Sequence, residues 1–211
     1  MRIAIVKLSA LGDIVQSMIM LQFIKKSYPY SKIDWVVEEG FKGILEDNPH
    51  ISKIHSINLN KAKKQKSLII LFNELNKVRG FGDYDLVIDA QGLVKSAIVS
   101  KFLRGRKIIG FNKDSIRERL ASYLYNQKTS IEYSENTILR SIALISESLN
   151  INVSNNEIIN KQSFLVSKSS FITPMEPFII FIIGSTWESR NYPKEKFVEV
   201  AKALKINCLV L

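Results

Sequence analysis

The sequence predicts an α/β fold: a parallel sheet with helices on both faces, then the start of a second domain of the same kind. Three observations carry this. Short β-branched runs, too brief for helices, alternate with segments whose apolar residues recur at helical spacing. From Asn150 to about Pro177 that alternation gives way to a stretch rich in Asn, Ser and Lys that carries Pro174 and Pro177, which reads as an interdomain connection. Strand, helix and strand then resume and run to Leu211.

Taken in order, Ile3-Ala4-Ile5-Val6 reads as a strand buried on both faces. Ser9-Ala10-Leu11-Gly12 is a tight loop, and a helix is expected from about Asp13 to Ser27, ended by Pro29 and its polar neighbours. Ile33 to Val37 is the next strand, followed by a short helix near Gly40 to Glu46, the turn Asn48-Pro49-His50 and a small strand around Ile54. Leu68, Phe72 and Leu75 fall at i, i+4 and i+7 and mark a helix ending near Gly80. Leu86-Val87-Ile88 is a strand, Leu93 to Phe102 a helix, and Ile108-Ile109-Gly110 a strand. Ile138, Ile142, Ile145 and Leu149 mark one more amphipathic helix, its stripe read as core. We place a first domain at 1–165 and, at 166–211, a linker with the first β-α-β unit of a second. An apolar strand at the terminus leaves an uncovered edge, so the sequence reads as a fragment or a truncated frame.

Composition narrows the function. Hydrophobic residues are 46% of the 211, enough for a packed core, which excludes a wholly disordered chain. Lys and Arg total 30 against 20 Asp and Glu, a net +10 that favours acidic partners: phosphate, nucleic acid or an anionic membrane face. The single cysteine, Cys208, excludes a disulfide framework, and His50 and His55 alone make no His/Cys metal cluster. No apolar stretch approaches the roughly 18–20 residues of a transmembrane helix, and no signal peptide opens the chain. These features read as a protein of the cell interior.

In parallel sheets the loops after strands face the ligand crevice, so candidates are sought there. Lys7 to Asp13 lacks the G-x-G-x-x-G fingerprint but places a carboxylate, Asp13, at a strand-to-helix turn. Such a carboxylate can accept a proton from an attacking hydroxyl. Asp13-Ile14-Val15-Gln16 also approaches a capping box, and spacing alone favours Asp13 as a helix cap. Gly184-Ser185-Thr186, with Arg190 nearby, offers hydroxyls, backbone N–H groups and a cation suited to a diphosphate, or an ordinary polar loop. Lys61, Lys63, Lys64 and Lys66 crowd one loop and could hold an anionic substrate, or form a solvated charge run. No aromatics interleave with them, which argues against nucleic acid. Gln91 and Lys95 lie past another strand end and can donate to a ligand; Arg117-Glu118-Arg119 could do the same or merely pair with each other on a surface; Glu38-Glu39 could hold a metal or a ribose but reads first as solvated.

K-L-S-A-L-G-D at 7–13, D-W-V-V-E-E-G-F at 34–41, D-A-Q-G-L-V-K-S-A at 89–97 and R-E-R-L-A-S-Y-L-Y-N at 117–126 are similar to motifs of the lipopolysaccharide heptosyltransferases of glycosyltransferase family 9. Within that family they most resemble the members acting first on the inner core, over essentially the whole chain. The resemblance implies a GT-B architecture of two Rossmann-like domains, the N-terminal one taking the acceptor and the C-terminal one mainly the nucleotide sugar. It implies inverting transfer of L-glycero-D-manno-heptose from ADP-heptose to the first Kdo of Kdo2-lipid A, with no metal or other cofactor, at the cytoplasmic face of an anionic inner membrane. It makes Asp13 the general base, reversing the preference for a cap. Ser185, Thr186 and Arg190 match positions at the donor phosphates. Lys61, Lys63, Lys64, Lys66, Gln91, Lys95 and Arg117 match positions on the acceptor side.

This sequence departs from the family in places. The acidic ribose-binding residue and the D-x-G-x-x-H-type segment would follow Leu211. Asn136 stands where relatives often carry histidine, and lysines replace a mainly arginine cluster, losing the bidentate fork. Residues 1–211 alone are expected to be inactive in transfer. Alternatives are a heptosyltransferase for another core position, an acceptor-binding module without catalysis, and, last, a nucleic-acid binder resting on charge alone.

Overall fold

The computed structural model describes residues 1–166, 176–184, 191–204 and 206–210. Contacts divide the chain into two compact units, Met1–Lys168 and Ser169–Leu211. The first is built on a six-stranded sheet ordered β3-β2-β1-β4-β5-β6, every pair parallel. Its strands are β1 (Arg2–Val6), β2 (Lys32–Glu38), β3 (Lys53–Ile57), β4 (Asp83–Asp89), β5 (Arg104–Phe111) and β6 (Gln127–Thr129). The helices are α1 (Leu11–Ser17), α2 (Ile19–Ser27), α3 (Leu59–Lys64), α4 (Leu68–Arg79), α5 (Val94–Phe102), α6 (Thr137–Leu149) and α7 (Asn155–Ile159).

Parallel strands need crossovers, and here each covers a face of the sheet. Ile3, Ala4, Ile5 and Val6 are accordingly wholly buried, as an unalternating β-branched run requires. The chain winds outward from β1 through β2 to β3, then returns to β4 beside β1 and winds the other way. This reversal opens a crevice at the carboxyl ends of β1 and β4, where such sheets bind ligands.

The expected helix over 13–27 is two helices. α1 begins at Leu11 with Ala10 as its cap residue, and Met18 separates it from α2. The segment after β2 is a 3₁₀ turn, Glu39–Leu45, rather than an α-helix. α4 forms where its periodicity predicts, but Leu68 and Phe72 point to solvent while Val78 is buried. The stripe on α6 is core: Ile142, Ile145 and Leu149 are buried where the helix packs on α1 and α2, and the buried Ser141 hydroxyl meets that of Ser17 at 3.2 Å.

In the second unit β7 (Phe178–Phe181) and β8 (Asn207–Val210) pair in parallel across α8 (Lys194–Leu204). Phe197 of α8 meets the rings of Phe181 and Tyr192 edge-on, both at 5.5 Å.

One polar network lies at the amino end of the central strands. Asp34, 1% exposed, accepts from Arg2 at 2.6 Å and Tyr84 at 2.9 Å, with His55 Nε2 at 3.3 Å. Burial works to raise this carboxyl, but the bonds from His55, Arg2 and Tyr84 outweigh it and hold it below the ordinary aspartate range. Its folded value being depressed, the stability it adds is full above the unfolded value and lost as pH falls through the folded one. Urea unfolding should therefore show Asp34→Ala less stable by about 2–3 kcal/mol near neutrality. That deficit should narrow below about pH 4.

Candidate functional site at the strand-order reversal

The loop after β4 is organised by a carboxylate with no solvent exposure. Asp89 Oδ1 accepts from the backbone N–H groups of Gln91 at 2.9 Å and Gly92 at 3.1 Å. Its Oδ2 accepts from the hydroxyls of Ser96 and Tyr125, both at 2.8 Å. Burial pushes the Asp89 carboxyl up, and these four donors oppose the shift. Gly92 turns with φ +71°, and a side chain there would strike Ile116. Gly110 of β5 leaves room for the Tyr125 ring, which a Cβ would enter.

This turn presents the Gln91 side chain to the loop after β1. Gln91 Oε1 accepts from the backbone N–H of Leu8 and of Ser9, both at 3.0 Å. The sequence suggested that Gln91 donates to a ligand; its oxygen instead ties two loops together, leaving Nε2 as the atom able to donate. Lys7, 5% exposed, reaches across to the Ala90 carbonyl at 3.1 Å. Burial lowers its pKa, while the Asp13 and Asp89 carboxylates favour its charge and Arg140 opposes it.

Asp13 follows in the first turn of α1, partly exposed. It is not the cap that spacing favoured: Ala10 holds that position and makes no side-chain bond, while Asp13 accepts a long hydrogen bond of 3.4 Å from the Thr137 hydroxyl. Its carboxylate lines an open cavity of about 340 Å³ with Lys7, Gln91, Arg117, Glu135, Thr137 and Arg140. Arg140 is pinned by the carbonyls of Glu132 at 3.0 Å and Ser115 at 2.8 Å, and by the faces of Phe111 and Tyr133. Two acids, Asp13 and Glu135, therefore sit with three cations, of which Arg117 also pairs with Glu118 at 3.7 Å, where a hydroxylated, anionic ligand could be held.

Lys95, Lys63 and Lys66 line a second, more apolar cavity of about 560 Å³ between α3, α4 and α5, which shares Leu93 with the first. Lys61 and Lys64 line neither. Glu38, read as solvated, is 2% exposed; burial raises its pKa, opposed by the Asn60 and Leu59 backbone amides and by Lys95. Ser185, Thr186 and Arg190 lie outside the described residues. A larger hollow of about 970 Å³ occupies the opposite, amino end of β4 and β5, where Arg104 and Arg106 already pair with Asp83 and Asp85.

Sequence reading missed Lys7, Arg140 and Asp89 as parts of this site. Lys7 directly follows the buried strand β1 and Asp89 closes β4, positions that could have flagged them. Arg140 carries no such local signal, because it arrives from α6, remote in sequence. Asn136, the departure from the family, has a local role: its side chain accepts from Leu139 N–H at 3.0 Å and caps α6.

A parallel sheet wound both ways from β1 and β4, with an acid and cations at its reversal point, defines a Rossmann-like α/β protein with its crevice at the carboxyl ends of the strands. The chain belongs to glycosyltransferase family 9 (heptosyltransferase), whose profile matches residues 74–208. It is 40% identical to lipopolysaccharide heptosyltransferase 1 of Campylobacter coli, over 97% of this chain and 60% of that protein. The corresponding Pseudomonas aeruginosa protein is 28% identical, over 97% of this chain and 58% of its own length. The chain thus spans about three-fifths of these relatives. The Escherichia coli heptosyltransferase WaaC, solved with ADP-2-deoxy-2-fluoro heptose, superposes with a TM-score of 0.83 at 26% identity, covering 100% of this chain and 68% of WaaC. The fold is that of the GT-B heptosyltransferases.

Removing the Gln91 carboxamide leaves two loop amides without their acceptor. In Gln91→Ala, hydrogen exchange at Leu8 and Ser9 should speed by about tenfold, with strand amides of β1 unchanged.

Proposed function

We propose that this chain carries the acceptor side of an inverting glycosyltransferase. The reaction is transfer of L-glycero-D-manno-heptose from ADP-heptose to the first Kdo of Kdo2-lipid A. The observation that carries the reading is Asp13, a partly exposed carboxylate on an open cavity with Lys7, Arg117 and Arg140 at the reversal point of the sheet. The relatives' names supply the sugar and the pathway, and WaaC with its ADP-heptose analogue supplies the donor class.

In this mechanism a Kdo hydroxyl enters the cavity and attacks C1 of the heptose. The C1–O bond to the acceptor forms as the C1–O bond to the diphosphate breaks on the opposite face, and ADP departs with that electron pair. Asp13 takes the hydroxyl proton, which raises the nucleophilicity of the oxygen as the bond forms. Lys7, Arg117 and Arg140 balance the acceptor's carboxylate and orient the hydroxyl. Of the acceptor-side residues, Lys63, Lys66 and Lys95 take anionic groups of the lipid at the neighbouring cavity, with Lys61 and Lys64 adding field. Ser185, Thr186 and Arg190 are assigned to the leaving diphosphate, where they stabilise developing charge. No metal is called for, because protein cations and hydroxyls supply that stabilisation.

The test is steady-state release of ADP in the protein as its host makes it. Asp13→Asn, nearly isosteric, should lower kcat by about 10²–10⁴-fold with little change in KM for Kdo2-lipid A or in thermal stability. Near-normal turnover would remove Asp13 as base. A switch of preference to an acceptor that already carries heptose would move the enzyme to another core position.

A further inference from the structure

The loop that carries Arg117 is fastened to α5 by the residue next to it, Glu118. The cap position of α5 is Leu93, whose side chain has no atom to accept from the amides of the first turn. A carboxylate from 24 residues away does so instead: Glu118 Oε2 accepts from the Val94 N–H at 2.7 Å. An anion at the amino end of a helix is also favoured by the helix dipole, which strengthens the tie. The second carboxylate oxygen, Oε1, stands 3.7 Å from Arg117 Nη2. One side chain thus reaches both a helix terminus and the cation beside it in sequence.

Arg117 is placed by its backbone more than by its side chain, which is 73% exposed and has only the loose pair with Glu118 as an ion pair among the described residues. Before it, Ile116 is buried against the Gly92 turn, and the Ser115 carbonyl accepts from Arg140 at 2.8 Å. After it, the Glu118 carbonyl accepts from Ala121 N–H at 2.9 Å, opening the 3₁₀ turn Arg119–Leu124. The Glu118 side chain then closes the loop onto α5. Arg117 lines the Asp13 cavity, whereas Glu118 and Lys95 line the neighbouring one. Lys95 directly follows Val94 in the first turn of α5. The bond from Val94 to Glu118 therefore joins the element that carries one cation to the element that carries the other.

We propose that Glu118 is a positioning residue: by capping α5 it fixes the spacing of Arg117 and Lys95 and so matches them to an acceptor with two anionic groups. The inference rests on the assignment of both cations to the acceptor in the proposed function. It gives Glu118 no part in proton transfer, since Glu118 does not line the cavity of Asp13. A carboxylate that merely diluted the positive charge would repel an anionic acceptor, and its removal would tighten binding. A positioning carboxylate has the opposite sign, because its removal loosens binding.

The test is steady-state kinetics with Kdo2-lipid A in the protein as its host makes it. Glu118→Ala should raise KM by about fivefold and leave kcat within about twofold. Glu118→Gln keeps an oxygen that accepts from Val94, so its KM should return to within about twofold of the wild type. Arg117→Ala should raise KM too, and adding Glu118→Ala to it should change KM by less than about twofold, since spacing has no meaning once one cation is gone. Hydrogen exchange at Val94 should quicken in Glu118→Ala and recover in Glu118→Gln. Where Glu118→Ala does not fold, Glu118→Asp, too short to reach Val94, takes its place with the same expected direction. An unchanged or lowered KM on losing the cap, in a protein whose Arg117→Ala raises it, would overturn the positioning role alone. So would a full further rise in the double variant. An unchanged KM in Arg117→Ala would overturn the assignment of that residue to the acceptor, and this inference with it. Loss of Asp13 as the base would leave all of these KM changes in place.

Discussion

The site depends on one buried carboxylate accepting four hydrogen bonds. Asp89 closes the central strand β4 without solvent contact, and its partners come from the turn after it, from α5 and from the approach to β6. A carboxylate so enclosed is costly unless every lone pair is used, so the geometry around it has little freedom. That rigidity passes outward. The turn it fixes aims Gln91 at the amides of Leu8 and Ser9, and the loop they define sets the start of α1 and with it Asp13. The cavity carboxylate, proposed as the base, is thus placed by a second one that is wholly buried.

This division explains why the two acids differ so much in surroundings. Asp89 is saturated with donors and unreachable. Among the described residues Asp13 accepts a single, long hydrogen bond, from Thr137, and it lines an open cavity. A carboxylate proposed to accept a proton needs an unused lone pair, and among the described residues the long bond from Thr137 is the only hydrogen bond that Asp13 accepts. The cations nearby are restrained in turn: Arg140 by two carbonyls and two rings, Lys7 by burial and the Ala90 carbonyl. A cation held in this way orients a ligand without first having to be ordered itself.

Much of the fold was legible because strand and helix periods differ so clearly here. Ile3–Val6 could only be a doubly covered strand, and its complete burial follows from the same β-branched run. The errors were of two physical kinds. The pair Glu38-Glu39 was read as solvated from its polar type, yet Glu38 closes β2, a strand covered on both faces, and is 2% exposed. Local capping logic was applied to Asp13, whereas α1 starts two residues earlier, at Leu11, so the side chain was free for another task. Arg140 and the tie between Gln91 and the first loop were illegible, since both arise from contacts across dozens of residues that no local pattern encodes. Two of the motifs that carried the family resemblance, 7–13 and 89–97, are the loops after β1 and β4, side by side at the reversal of the sheet.

A crystal structure of the protein with an acceptor analogue bound would test the central claim most directly. The account predicts one acceptor hydroxyl within about 2.6–3.2 Å of an Asp13 carboxylate oxygen, with Arg117 and Arg140 on the acceptor's acidic group. An acceptor seated elsewhere, with Asp13 still facing only Thr137 and water, would contradict it.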